Sequence, residues 1–149
     1  MAKLFEIVIF TCSLKEYAEP ILNNLEGKSS FITHRLYRDS CTYCGGFYMK
    51  DLNRLDRDLS KTIIVDNSPL NFSLQQANGI SIKSWFGDKH DKMLFRLGPI
   101  LNTMVMDKWD DVREFNKNIN SAVMELRKMK RIDNQIKKSP LLTSVLKLQ

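Results

Sequence analysis

The chain has 149 residues, 43% of them hydrophobic, enough for one domain with a core, and no apolar run approaches the roughly 18 residues of a membrane span. The opening MAKLFEIVIF lacks the basic, apolar and small-residue order of a secretory signal, and three cysteines do not make a disulfide framework, so a soluble protein of a reducing compartment is expected. The net charge of +6 is unevenly spread: residues 1–116 hold fifteen basic and fifteen acidic residues, and residues 117–149 hold eight basic against two acidic.

LFEIVIF, residues 4–10, reads as a buried strand ending in Thr11-Cys12-Ser13. Ser13 and Glu16 fit a capping box, which starts a helix at Leu14, and Pro20 should divide it into two segments ending near Leu25. Residues 27–30 form a loop. FITHRLY (31–37), CTY (41–43) and FYM (47–49) are short and rich in aromatic and β-branched residues. With Gly45-Gly46 between the last two, they suggest a small antiparallel element. Leu52 and Leu55 are spaced for one helical turn.

Thr62 to Val65 then read as a fully buried strand that breaks off into Asp66-Asn67-Ser68-Pro69. Asn78-Gly79 marks a turn before a short strand, ISI (80–82). Residues 91–106 place Leu94, Leu97, Ile100, Leu101 and Met104 on one helical face, despite Gly98-Pro99. A long helix is expected from Trp109 to Ile136, followed by a frayed end from Pro140. Its basic surplus attracts nucleic acid, acidic lipid or an acidic partner, or is a solvated helix face. No aromatic residue interleaves with those charges, so nothing there favours nucleic acid. Strands alternating with helices favour an α/β domain with a largely parallel sheet.

Two strand ends are unusually polar, Thr11-Cys12-Ser13 and Asp66-Asn67-Ser68. On parallel neighbours of one sheet they would share a rim, where open α/β sheets keep their ligand sites, and Lys50 could reach it. A hydroxyl, an ammonium, a carboxylate and a carboxamide together suit a phosphate beside a hard divalent cation. The same residue types also end strands in ordinary turns, and spacing alone does not separate the two readings. Cys41-Thr42-Tyr43-Cys44 has metal-site spacing, but no second pair of ligands accompanies it, so free thiols are expected. Nothing local supplies a base to Cys12.

The runs FEIVIFTCSLKEYAEPIL, HRLYRDSCTYCGGFYMKDLNRLDRDLSKTIIVDNSP and NGISIKSWFGDKHDKMLFRLGPIL resemble the small C-terminal-domain phosphatases. These form the NLI-interacting-factor-like branch of the haloacid dehalogenase superfamily. The resemblance covers roughly residues 4–101 and implies a Rossmann-like fold and magnesium-dependent dephosphorylation of phosphoserine or phosphothreonine in proteins. It implies that Thr11 and Lys50 bind phosphate, that Asn67 ligates magnesium with Asp66 in support, and that Arg38, Leu14 and Tyr17 meet the substrate. A phosphorylated protein segment is the implied partner, in the nucleus or cytoplasm.

The family's nucleophile and acid-base aspartates lie in an Asp-x-Asp-x-[Thr/Val] motif on a strand preceding FEIVIF, and no such motif occurs in the 149 residues. The nearest clusters, Asp56-Arg57-Asp58 and Asp110-Asp111, stand in other contexts. The expectation is therefore a partial phosphatase domain over residues 1–106 without its central nucleophile strand, inactive by itself, with a helical basic tail over 107–149. Two alternatives share the resemblance: a phosphoprotein-binding pseudophosphatase, and the related receptor subunit of the mitochondrial inner-membrane translocase.

Overall fold

The structure, a computed structural model, describes residues 1–119. β1 (Val8–Phe10) leads through α1 (Lys15–Glu26) to β2 (His34–Leu36), which pairs with β1 in parallel, Ile9 opposite Arg35. A parallel pair needs such a crossover, and α1 supplies it. β3 (Thr42–Cys44) and β4 (Phe47–Met49) form an antiparallel hairpin with Tyr43 opposite Tyr48. Gly45 and Gly46 make its two-residue turn at φ of 60° and 87°, conformations that glycine takes without strain. β5 (Ile64–Asp66) pairs in parallel with β6 (Gly79–Ser81), and α2 (Met93–Met106) precedes a helical stretch over residues 112–119.

The chain is thus mixed α/β, as the alternation of elements implies. The described residues form three two-stranded sheets, however, and not one continuous parallel sheet. Three small clusters serve as the core. Ala18 and Leu22, four apart on α1, pack with Tyr37, Ile9 and Ile32. Leu52, Ile64 and Phe72 form a second cluster, flanked by Leu55 and Leu59. In the third, Met104, Val112 and Phe115 gather Phe5, Ile63, Trp109 and Ile119, so residues from both ends of the described chain share it.

Several local expectations are corrected. The strand expected over 4–10 keeps only Val8–Phe10, because the amides of Leu4 and Phe5 turn back onto the Met1 carbonyl at 2.8 and 3.0 Å. The capping box does not form, and Leu14 is the N-cap without a side-chain hydrogen bond. Ser13 is engaged elsewhere: its amide donates to Thr11 Oγ1 and its carbonyl accepts from the Arg38 amide. Pro20 lies on the exposed face of α1 and does not divide it. His34–Leu36 does not belong to the antiparallel element but is the parallel partner of β1.

Gly79 is the first residue of β6 at φ −92°, so Asn78-Gly79 is not a glycine turn. Asn78 is instead buried, and its amide donates to the carbonyls of Leu59 and Thr62 at 2.6 and 2.8 Å. On α2, Leu97 and Met104 are buried while Leu94 and Ile100 are exposed, so the expected apolar face is only partly used. Helical structure resumes at residue 112 and not at Trp109, after a bend in which Lys108 takes φ 53°. The rest of the expected long helix, the frayed end and most of the basic tail lie outside the described residues.

Candidate functional site

Thr11 follows β1 directly, its amide bonded to the Leu36 carbonyl at 2.9 Å. Its hydroxyl accepts from the Ser13 amide at 3.1 Å, which folds residues 11–13 into a tight loop. Because β1 and β2 are neighbours, the turn after β2 falls against this loop. The Arg38 amide donates to the Ser13 carbonyl at 3.0 Å, and its Nε donates to the Cys12 carbonyl at 2.7 Å. Its guanidinium lies 5.2 Å from the centroid of the Tyr48 ring, a cation–π arrangement that places it over the hairpin. Among the described residues, no acceptor engages its terminal amino groups.

Cys41 closes the back of this arrangement. Its thiol lies 3.7 Å from the Thr11 carbonyl and 3.5 Å from the Cys12 sulfur. Burial pushes the Cys41 thiol up to about 12, and Cys12 adds to the rise, while the positive charges of Lys50 and Arg38 pull the other way. The Cys12 thiol also lies 3.7 Å from the Tyr48 carbonyl, so the strand that leads into Lys50 packs against the same loop. Thr11 and Arg38 thus share one loop cluster, and Lys50 follows the strand packed against it.

Lys50 stands at the end of β4 and is buried, and its ammonium pairs with Asp66 Oδ2. Asp66 ends β5, with Oδ1 accepting from the Ser68 amide at 2.8 Å and from Asn71 Nδ2 at 3.1 Å. Both of its oxygens are thus engaged. Asn67 is exposed, and its amide nitrogen donates to Ser84 Oγ at 3.0 Å. A magnesium ion needs about six oxygen ligands in a near-ideal octahedron. These residues offer one outward carboxamide, and among the described residues no group of three His, Cys, Asp or Glu could hold a metal. The residues present do not by themselves make a magnesium site.

Leu14 and Tyr17 sit at the start of α1, 53% and 69% exposed. With Ile21 and Leu25, also exposed, they form an apolar stripe at three- and four-residue spacing beside the Thr11 loop. Sequence reasoning missed the contact of Cys12 with Cys41, the ring beneath Arg38 and the part played by Asn71. The Cys41–Cys44 spacing misdirects, since the backbone is extended there and side chains three apart point to opposite faces. A hollow lined by Gln76, Ala77, Arg113, Glu114, Asn116 and Lys117 shares no residue with this cluster.

Residues 1–113 match the family described as NLI interacting factor-like phosphatase. The chain belongs to this family. Every candidate residue above lies within the matched stretch. Among curated relatives, a CTD small phosphatase-like protein 2 of Dictyostelium discoideum is 46% identical over 113 residues, 76% of this chain and 19% of that protein. A probable C-terminal domain small phosphatase of the same organism is 49% identical, with 36% of its length covered. The human carboxy-terminal domain RNA polymerase II polypeptide A small phosphatase 2 is 43% identical over 104 residues, 70% of this chain and 38% of that protein. The chain thus spans less than two fifths of the length of these three relatives.

Proposed function

We propose that this member of the family forms the phosphate-holding part of a protein serine/threonine phosphatase domain, and that the 149 residues by themselves bind a phosphorylated protein segment without hydrolysing it. One observation carries the reading: the Thr11 hydroxyl and the Arg38 guanidinium are held together where the parallel strands β1 and β2 end, against the strand that leads into Lys50. A phosphate dianion placed there would take hydrogen bonds from Thr11 and from the terminal amino groups of Arg38, with Lys50 behind them as a point charge. The exposed stripe of Leu14, Tyr17, Ile21 and Leu25 suits the apolar side chains of the same segment. The human relative's name supports a phosphorylated protein tail as the ligand class, and with it a nuclear setting. No helix among the described residues is long and apolar enough to cross a membrane.

Hydrolysis needs a nucleophile in line with the phosphorus and a group to protonate the leaving oxygen. Asp66 is occupied by Lys50, Ser68 and Asn71, and Cys41 is held protonated, so neither serves as the nucleophile. An Asp-x-Asp strand from elsewhere would supply both functions and most of a magnesium site. Magnesium, when bound, would neutralise charge on the phosphoryl oxygens.

The test is titration of a phosphoserine peptide and its unphosphorylated form into the full chain, beside an assay of para-nitrophenyl phosphate turnover with magnesium. Binding of the phosphorylated form alone is expected, reduced about tenfold or more by Arg38→Ala and by Thr11→Val, with no turnover. Equal binding of both peptides would remove the binding reading. Turnover that is abolished by Asn67→Ala would remove the claim of inactivity.

A further inference from the structure

The thiols of Cys12 and Cys41 lie 3.5 Å apart across 29 positions of sequence. We propose that they form a peroxide-sensitive dithiol, and that two-electron oxidation joins them in a disulfide beside the loop that carries Thr11. A disulfide sets its sulfurs about 2 Å apart, so the pair must close by about 1.5 Å, within reach of side-chain rotation and a small loop shift. Residues 11–13 belong to no regular element, so the shift falls in the loop between β1 and α1. The third cysteine is placed otherwise: Cys44 is exposed and lies on the opposite face of the strand from Cys41.

The two sulfurs are unequal. Cys12 is half-buried and Cys41 is buried, with its thiol held in the protonated form. Cys12, the more accessible of the two, therefore reacts first. Its sulfur attacks the O–O bond of hydrogen peroxide and takes one oxygen as a sulfenic acid, and the departing hydroxide becomes water on gaining a proton. The Cys41 sulfur then displaces the sulfenic hydroxyl, which leaves with the Cys41 proton as a second water. Peroxide gains two electrons and the protein loses two hydrogens. The product ties the end of β1 to the turn after β2. That turn already holds the loop through the Arg38 bonds to Cys12 and Ser13.

The experiment treats the reduced full chain with a small excess of hydrogen peroxide, blocks remaining thiols and maps the peptides without reduction. Free thiols should fall from three to one, and a linked pair containing Cys12 and Cys41 should appear two hydrogens lighter, restored by dithiothreitol. The Cys44→Ser protein, which keeps the pair intact, should lose both of its thiols. In Cys41→Ser, a dimedone adduct should appear on Cys12. Linkage through Cys44, linkage between chains, or oxidation to sulfinic acid with no Cys12–Cys41 peptide would each overturn the proposal, and the Cys44→Ser map decides even where Cys41→Ser does not fold.

Discussion

The ammonium of Lys50 lies against Oδ2 of Asp66, with the two side chains 10% and 3% exposed. The pair joins the end of β4 to the end of β5. Asn71 reinforces it, its carbonyl accepting from the Lys50 amide at 2.6 Å and its side chain donating to Asp66 Oδ1 at 3.1 Å. One function of the Asp-Asn-Ser-Pro segment is therefore to fix a lysine in place. Removing one partner strands a buried charge, which costs about 3–5 kcal/mol. Lys50→Met and Asp66→Asn should each lower stability on this scale in urea unfolding. The double variant should lose less than their sum, because the stranded charge is gone. Strict additivity would mean that the pair does not act as a unit.

Gly79 faces Phe72. A Cβ built on Gly79 would stand 2.1 Å from Phe72 Cε2 and 2.2 Å from Cδ2, and Phe72 is fixed in the cluster with Leu52 and Ile64. Overpacking of this kind typically costs about 1–3 kcal/mol. Gly79→Ala should lower the melting temperature by several degrees, and Phe72→Leu combined with it should recover part of the loss beyond its own cost. An unshifted melt in Gly79→Ala would show that the ring has room to move.

Much of this was legible in the sequence, and the misses have physical causes. Element types came through where apolar residues run together, as at Ile64 and Val65, or where a turn needs glycine, as at Gly45-Gly46. Strand lengths did not, because apolar residues such as Leu4 and Phe5 can enter a core from a turn. Gly79 was misread because Asn-Gly signals a turn only when a positive φ is needed, and here the absent Cβ matters instead. Thr11 and Arg38 stand out in the sequence as candidates, but their meeting depends on β1 pairing with β2, which a short polar-edged run does not announce. The roles of Asn71 and Cys12 are tertiary contacts with no local pattern.

Asp111 gives a pH-dependent signal outside the site. Its hydrogen bonds to the Arg113 side chain and backbone amide hold its carboxyl down at about 2, from the ordinary 3.8. A depressed carboxylate favours the folded state above its unfolded value of 3.8 and loses that contribution as pH falls through about 2. Carbon-detected titration should place the Asp111 midpoint near 2, and Arg113→Gln should move it toward 3.8. A midpoint near 3.8 in the unaltered chain would mean that this pair does not persist in solution.

The strand edges offer the last test. Thr33 donates to the Ile7 carbonyl at 2.7 Å, and Thr11 donates to the Leu36 carbonyl at 2.9 Å. Alternate residues of a strand serve the same neighbour, so Ile7, Ile9 and Thr11 face β2, and Val8 and Phe10 direct their backbone groups to the other edge. Likewise the Ile82 amide bonds to the Asp66 carbonyl at 3.0 Å, which turns Val65 away from β6. Among the described residues, nothing pairs with those outward groups. In amide exchange of residues 1–149, Val8, Phe10 and Val65 should exchange roughly tenfold or more faster than Ile9 and Thr11, since their opening needs no ladder bond to break. An exposed edge also invites pairing between chains, so the contrast should shrink as concentration rises. Adding a segment that supplies a strand to these edges should protect the same three amides and raise the melting temperature. Uniform protection of all five amides in a dilute monomer would sink this account of the two edges.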